Sequence, residues 1–207
     1  MAHYLPIHPE NPQARLINQA VAVIREGGVI VYPTDSSYAL GCQIGNKAAQ
    51  DRIRRIRRLD DSHHFTLVCR DLSELSLYAR VDNPVFRLLR SFTPGPYTFL
   101  LKATHEVPRR LQNPKRKTIG LRVPDHPIAL ALLTALGEPL MSSTLILPEA
   151  SEPLADPYEI CDLLNPHIDL VIDGGNCGLE PTSVIDLVDE FPVVVRRGKG
   201  DTTPFER

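Results

Sequence analysis

The stretch Val29-Ile-Val-Tyr-Pro-Thr-Asp-Ser-Ser-Tyr-Ala-Leu-Gly-Cys42 decides the fold class of this chain. Its first four residues are apolar and β-branched or aromatic, a run too short for a helix, and they read as a buried strand. Pro33-Thr-Asp-Ser-Ser37 is a polar turn at the end of that strand, and Tyr38 to Cys42 resumes extended backbone. Helices flank the unit on both sides. Residues 13–26 place Leu16, Ala20, Val23 and Ile24 on one helical face before Gly27-Gly28 stops the helix. From about Lys47 to Arg58, Ala49, Ile53 and Ile56 recur at i, i+4 and i+7, which turns them toward a core.

The same alternation continues outward. Residues 65–68, 97–101, 118–123, 139–143, 168–172, 183–187 and 193–195 read as strands, and residues 82–91 and 127–136 as helices, the latter closed by Gly137. Strands interleaved with helices predict an α/β fold built on an open, twisted, mixed sheet with helices on its faces. The 19 prolines are scattered singly at element ends, so no linker is marked and residues 1–207 are expected to form a single domain. A hydrophobic content of 43% suffices for a core at this length. Cysteines 42, 69, 161 and 177 are too far apart for a C-x-x-C pair and too few for a disulfide scaffold, so reduced thiols are expected. With neither a signal-peptide pattern at the N-terminus nor an apolar run of about 18 residues, a cytoplasmic protein is the expectation.

Charge is distributed unevenly. Residues 1–122 carry 19 Lys or Arg against 10 Asp or Glu, whereas residues 123–195 carry none against 13, which hides a demand for polyanions behind a formal net charge of −2. Arg52-Ile-Arg-Arg-Ile-Arg-Arg58 lacks interleaved acids, so Arg54 and Arg58 repel across one turn and the run is more than a self-paired solvated face. Arg109, Arg110, Lys115, Arg116 and Lys117 in the loop 107–117, and Arg196-Arg-Gly-Lys199, form two further clusters. If the clusters converge they make a groove for phosphates, since guanidinium forks match phosphate geometry.

Other constellations take structural readings. Adjacent His63 and His64 point opposite ways on extended backbone and have no H-E-x-x-H companion, so no metal held by protein side chains is expected. Gly174-Gly-Asn-Cys-Gly178 matches neither G-x-G-x-x-G nor a P-loop. Ser142-Ser143-Thr144 sits just past a strand without a G-x-S-x-G elbow, and Thr34 and Asp35 can simply cap their turn.

Five ordered segments together are more specific: Val31–Gly41, Thr93-Pro-Gly-Pro-Tyr-Thr98, Gly120-Leu-Arg-Val-Pro-Asp-His-Pro127, Pro139-Leu-Met-Ser-Ser-Thr144 and Pro181-Thr-Ser-Val-Ile-Asp186. In these the chain resembles the YrdC/YciO family, and its YciO branch more than its YrdC enzymes. The resemblance implies the YrdC-like fold around a basic concave cavity. It further implies relatives that make threonylcarbamoyl-AMP from L-threonine, bicarbonate and ATP for the threonylcarbamoyladenosine modification of tRNA, with Mg²⁺ arriving on ATP, and relatives that bind double-stranded RNA.

Position by position, the resemblance implies nucleotide or phosphate contacts at Arg57, Arg122, Ser142, Thr144, Ser183 and Arg196, and an amino-acid pocket at Thr34 and Tyr38. The family's Lys-x-Arg signature falls on Arg57-Arg58-Leu59 and its Ser-x-Asn signature on Thr144-Leu145-Ile146, so Leu59 and Ile146 stand where two polar groups are implied. Two lost hydrogen bonds to charge weaken triphosphate handling by roughly 3–6 kcal/mol, on the order of 10² to 10⁴ in affinity. The expectation is a nucleotide- and duplex-RNA-binding protein with altered or weak synthase activity, its RNA contacts falling on Arg54, Arg55, Arg58 and the five basic residues of the loop. A non-enzymatic RNA-binding module in translation, tRNA modification or ribosome biogenesis, and an enzyme acting on a related acyl-adenylate, are the alternatives.

Overall fold

The computed structural model describes residues 2–60, 63 and 65–206. Ten strands alternate with helices: β1 (His3–Pro6), α1 (Ala14–Arg25), β2 (Ile30–Tyr32), β3 (Ala39–Gln43), α2 (Lys47–Arg57), β4 (Thr66–Val68), α3 (Leu72–Tyr78), α4 (Asn83–Phe92), β5 (Tyr97–Lys102), β6 (Thr118–Arg122), α5 (Pro127–Leu136), β7 (Leu140–Thr144), α6 (Pro157–Leu164), β8 (Leu170–Asp173), β9 (Ser183–Asp186) and β10 (Val193–Arg196). They form one mixed sheet in the order β1-β8-β2-β3-β7-β4-β6-β5-β9-β10. The decisive stretch is an antiparallel pair, Ile30 opposite Gly41 and Tyr32 opposite Ala39, joined by the turn 33–38. The expected α/β class with a mixed sheet is what the chain adopts.

Strand alternation divides the core into two layers. Val31, Leu40, Leu67, Phe99, Leu121, Met141, Val171 and Ile185 face one side, where Ala49 and Ile53 of α2, Leu75 of α3, Leu89 of α4 and Ile160 of α6 pack over them. Ile30, Tyr32, Ala39, Leu140, Leu170 and Ile172 face the other side, beneath Ile17, Ala20, Val21 and Ile24 of α1 and Ile128, Ala129, Leu132, Leu133 and Leu136 of α5. These two helices reach only as far as Val68 of β4. The remaining width of that face, across β4, β6, β5 and β9, has no helix on it among the described residues, and the functional cavity lies there.

Local chemistry fixes the ends that matter. The Asn46 side chain accepts from the Ala49 amide and starts α2, which ends at Arg58 in the left-handed region with φ of 48°. The chain reverses there, and the Leu59 amide donates to the Arg54 carbonyl. Gly137, with φ of 77°, closes α5 as a left-handed cap that a Cβ would strain.

Candidate functional site

A cavity of about 540 Å³ opens on the uncovered half of the sheet. Its floor follows the period of two in three strands: Thr66 and Val68, Thr98 and Leu100, and Gly120 and Arg122 line it, while Leu67, Phe99 and Leu121 between them belong to the core on the opposite face; Ser142, Ser143 and Thr144 of β7 line it together. Gly120 is the low point of the floor, because a Cβ there would sit 3.1 Å from Thr66 Oγ1 and 3.3 Å from Thr98 Cγ2. Arg57, Arg58, Leu59, Asp60, His63 and Ile146 form one wall, and Thr182, Val184, Val195 and Arg196 the other. The four positions 57, 59, 144 and 146 therefore share one cavity, although they come from the ends of α2 and β7 and the residues just beyond them.

Three guanidinium groups approach the cavity from separate elements, each held by protein acceptors. Arg57 donates from Nε to the Ile146 carbonyl at 3.1 Å and from Nη1 to Ser143 Oγ at 2.5 Å. Arg196 donates from Nε and Nη2 to the Thr182 carbonyl and from Nη2 to Thr182 Oγ1 at 3.1 Å, and Thr182 Oγ1 in turn lies 2.9 Å from Thr98 Oγ1. Arg122 pairs through Nη2 with Asp35 Oδ1 of the β2–β3 turn, both side chains being about nine-tenths buried. Burial, with the Arg196 charge adding to it, pushes the Arg57 guanidinium down to about 10. Burial and the neighbouring Arg122 charge likewise hold Arg196 below its ordinary value. Half-buried positive groups set close together favour an anion between them.

Hydroxyls close the remaining sides. Ser142 Oγ lies 2.7 Å from Tyr32 Oη and donates to the Leu40 carbonyl, and burial pushes the Tyr32 phenol up to about 12 against the pull of that contact. Ser183 is fully buried, donates to the Gly200 carbonyl and accepts from the Gly198 amide, so it braces the segment carrying Arg196 and does not line the cavity. Thr34 Oγ1 donates to the Ser37 carbonyl and accepts from the Ser36 and Ser37 amides, which closes the turn. Tyr38 Oη donates to the Gly175 carbonyl and accepts from the Gly174 amide, linking the turn to the glycine loop. In this geometry both hydroxyls are spent on the scaffold next to the cavity, and neither residue is part of its lining.

The three basic clusters do not all meet. Arg57, Arg58 and Arg196 line the cavity; the loop 107–117 does not. It enters β6 at Thr118, whereas Arg122 stands at the other end, about 13 Å away by strand rise. Within the loop Arg110 donates from Nε to Gln50 Oε1 and from Nη2 to the Gly45 carbonyl, and Arg116 pairs with Asp186 and Asp189. Arg109, Lys115 and Lys117 are exposed. On α2, Arg54 stacks 4.8 Å over the Phe65 ring and donates to the Asp60 carbonyl, Arg55 donates to the Asp51 carbonyl, and Arg58 lies 3.4 Å from Glu149. Of the histidine pair, His63 lines the cavity and packs edge-on to Phe65, while His64 lies outside the described residues. Among the described residues no three His, Cys, Asp or Glu side chains are grouped to hold a metal ion.

Sequence reasoning missed Asp35 as the partner of Arg122, Ser143 as the anchor of Arg57, and Thr66, Thr98 and Thr182 as cavity hydroxyls. For Thr66 and Thr98, as for Gly120, the signal was the alternation of polar or glycine positions with core residues in β4, β5 and β6, which a period-two reading of those strands would have found.

Over residues 22–198 the chain matches the Sua5/YciO/YrdC family model, whose description reads telomere recombination. The chain belongs to the Sua5/YciO/YrdC family. It is 62% identical to the Escherichia coli protein YciO over 205 residues, 99% of this chain and all of that protein, and the crystal structure of E. coli YciO superposes with a TM-score of 0.97 over the full length of both. It is 31% identical to threonylcarbamoyl-AMP synthase of Halorhodospira halophila over 82% of this chain and 89% of that protein. The P. abyssi Sua5 structure complexed with L-threonine aligns with a TM-score of 0.87 at 25% identity, covering 95% of this chain and 58% of that one. The chain is thus a family relative of the threonylcarbamoyl-AMP synthases. No helix among the described residues is long and apolar enough to cross a membrane.

Proposed function

We propose that the cavity binds an adenine nucleotide through its phosphate, with Arg57, Arg122 and Arg196 around the anion and Ser142 and Thr144 beside it, and that synthase activity toward L-threonine, bicarbonate and ATP is altered or weak. The observation that carries this reading is the set of three buried or half-buried guanidiniums facing one cavity, of which Arg57 and Arg196 are held below their ordinary value by burial first and by a neighbouring guanidinium second. An anion between them relieves that repulsion and gains charge-assisted hydrogen bonds. The reaction of the relatives needs no covalent nucleophile; it needs a carbamate set against an α-phosphate and donors where phosphate charge develops. The chain retains the donors on the phosphate, and Leu59 and Ile146 remove two from the wall beside them. Among the described residues Asp60 is the one carboxylate in the lining, so a Mg²⁺ brought by ATP would be held by the nucleotide and water rather than by a protein cage.

Amino-acid binding is carried over from the Sua5 complex with L-threonine. Here Thr34 and Tyr38 would act by holding the turn 33–38 and the glycine loop in place. The test is direct: incubation with ATP, L-threonine, bicarbonate and Mg²⁺ is expected to give a pyrophosphate release rate at least a hundredfold below that of a synthase. A rate equal to a synthase refutes the claim about Leu59 and Ile146, and failure of every adenine nucleotide to bind at low salt refutes the nucleotide site.

Duplex RNA is the second ligand, proposed on the exposed Arg109, Lys115 and Lys117, which sit outside the cavity as does Arg55 on α2, with the exposed Arg58 at the cavity itself. Shape and phosphate contacts would dominate, with affinity falling steeply as salt rises. Charge reversal at Arg109, Arg110, Lys115 and Lys117 should lower that affinity at least tenfold; unchanged affinity removes the loop from the footprint.

A further inference from the structure

We propose that the cavity selects a nucleoside monophosphate over the corresponding triphosphate, its cationic corner being matched to one phosphoryl group and its remaining wall to a neutral body. This rests on the reading of the cavity as a nucleotide site. The guanidiniums are fixed by the protein before any ligand arrives. Arg57 commits Nε and Nη1, and Arg196 commits Nε and Nη2, so that each keeps one terminal nitrogen without a hydrogen bond among the described residues. Arg122 commits Nη2 to Asp35, and its Nε is buried without a partner. Each arginine is therefore pinned in place with N–H groups still unspent. Fixed forks from three elements suit a compact anion such as one phosphoryl group.

Asp35 neutralises Arg122, which leaves Arg57 and Arg196 as the guanidiniums without a carboxylate partner deep in the cavity among the described residues. Two such charges match a phosphate monoester, which carries about −1.5 to −2 near neutral pH. A triphosphate brings further anionic oxygens, and among the described lining residues the one guanidinium left for them is the exposed Arg58, which already faces Glu149 at 3.4 Å.

Apolar side chains fill much of the remaining wall. Leu59, Leu100, Ile146, Val184 and Val195 supply apolar side chains to the same cavity. Ile146 is immediate to the phosphate corner, because its own carbonyl accepts from Arg57 Nε. Anionic oxygens pressed on these side chains lose water and gain no donor, whereas the faces of a base or sugar lose little. A volume of about 540 Å³ leaves room for that body beside the phosphate.

The experiment is calorimetric titration of the full chain with AMP, ATP, adenosine and inorganic phosphate at low salt, with and without Mg²⁺. AMP is expected to bind at least tenfold tighter than ATP in both conditions, and at least tenfold tighter than adenosine or phosphate alone. ATP binding as tightly as AMP overturns the selection while leaving the nucleotide site standing; phosphate binding as tightly as AMP overturns it by reducing the cavity to a bare anion site. If no nucleotide binds, the underlying functional reading fails first. The double variant Leu59→Arg, Ile146→Asn should move the ATP-to-AMP affinity ratio at least tenfold toward ATP, with its melting midpoint recorded alongside, and an unmoved ratio in a folded variant contradicts the role of the apolar wall. The wild-type ratio decides the matter if that variant does not fold.

Discussion

Replacing Asp35 with alanine removes the counter-charge of Arg122 and leaves a guanidinium on the cavity floor with nothing to balance it. Both side chains of the pair are about nine-tenths buried, with exposures of 8% for Arg122 and 11% for Asp35, so water cannot take over the role of the carboxylate. Breaking such a pair by removing one partner costs about 3–5 kcal/mol, a fifth or more of the roughly 5–15 kcal/mol that holds a domain of this kind. For a chain of 207 residues that is a fall in melting temperature of about 6–20 °C. The contact between Lys199 Nζ and the Asp35 carbonyl uses backbone and survives the substitution, so the loss reports on the carboxylate. The assay is thermal unfolding followed by circular dichroism, with a reversibility check and urea titration as a second measure of ΔG. The double replacement Asp35→Leu, Arg122→Leu removes both charges and should recover most of the stability, though not nucleotide binding. A single-variant loss below about 1 kcal/mol would refute the reasoning, because it would mean that the pair is solvated and that Arg122 is not fixed by Asp35.

Arg57→Ala should behave in the opposite way, changing stability by no more than about 1 kcal/mol because a repelled charge is removed along with its two hydrogen bonds, while weakening AMP binding at least tenfold by titration. His126 should make stability pH-dependent. Burial holds its imidazole below the ordinary 6.5, so the unfolded chain takes the proton first and stability falls as pH drops through about 6.5; urea midpoints of His126→Gln should lose less between pH 7.5 and 5.5 than those of the unaltered protein. Gly120→Val raises the cavity floor into Thr66 and Thr98, and should cost about 1–3 kcal/mol in denaturant titration while reducing nucleotide affinity more than tenfold.

Much of the fold was legible from periodicity. The strand at 29–32, the helices at 13–26, 47–58, 82–91 and 127–136 and the strands at 97–101, 118–123 and 183–187 fall within a residue or two of their observed bounds, because each buries a clear apolar face. β1 escaped because His3–Pro6 is short and takes its conformation from parallel pairing with β8, about 165 residues away in sequence. α3 escaped although Asp71 and Glu74 mark its start: the Glu74 amide donates to Asp71 Oδ1 and Glu74 Oε2 accepts from the Arg70 amide, a capping arrangement visible in the sequence. Strand order was not legible, since no local pattern places β7 between β3 and β4.

The site divides the same way. Arg57, Arg122, Thr144 and Arg196 meet in one cavity as an implied nucleotide set would, but only the folded sheet reveals that Asp35 spends itself on Arg122, that Ser183 is consumed by the segment 198–200, and that Arg116 is consumed by Asp186 and Asp189. A charge run announces cations, and it cannot announce which of them are already neutralised. Of the five arginines in the run, Arg57 and Arg58 line the cavity, whereas Arg52 is paired with Asp169, Arg54 lies over the Phe65 ring and Arg55 donates to the Asp51 carbonyl.

The central claim is that the cavity between Arg57, Arg122 and Arg196 takes a nucleotide phosphate, and it is tested most directly by calorimetric titration of AMP into the unaltered protein and into Arg57→Ala, Arg196→Ala at low salt. Saturable one-site binding by the former, weakened at least a hundredfold in a double variant whose melting temperature is nearly unchanged, is the predicted result. Equal affinity in the two proteins, or no binding in either, would contradict the account.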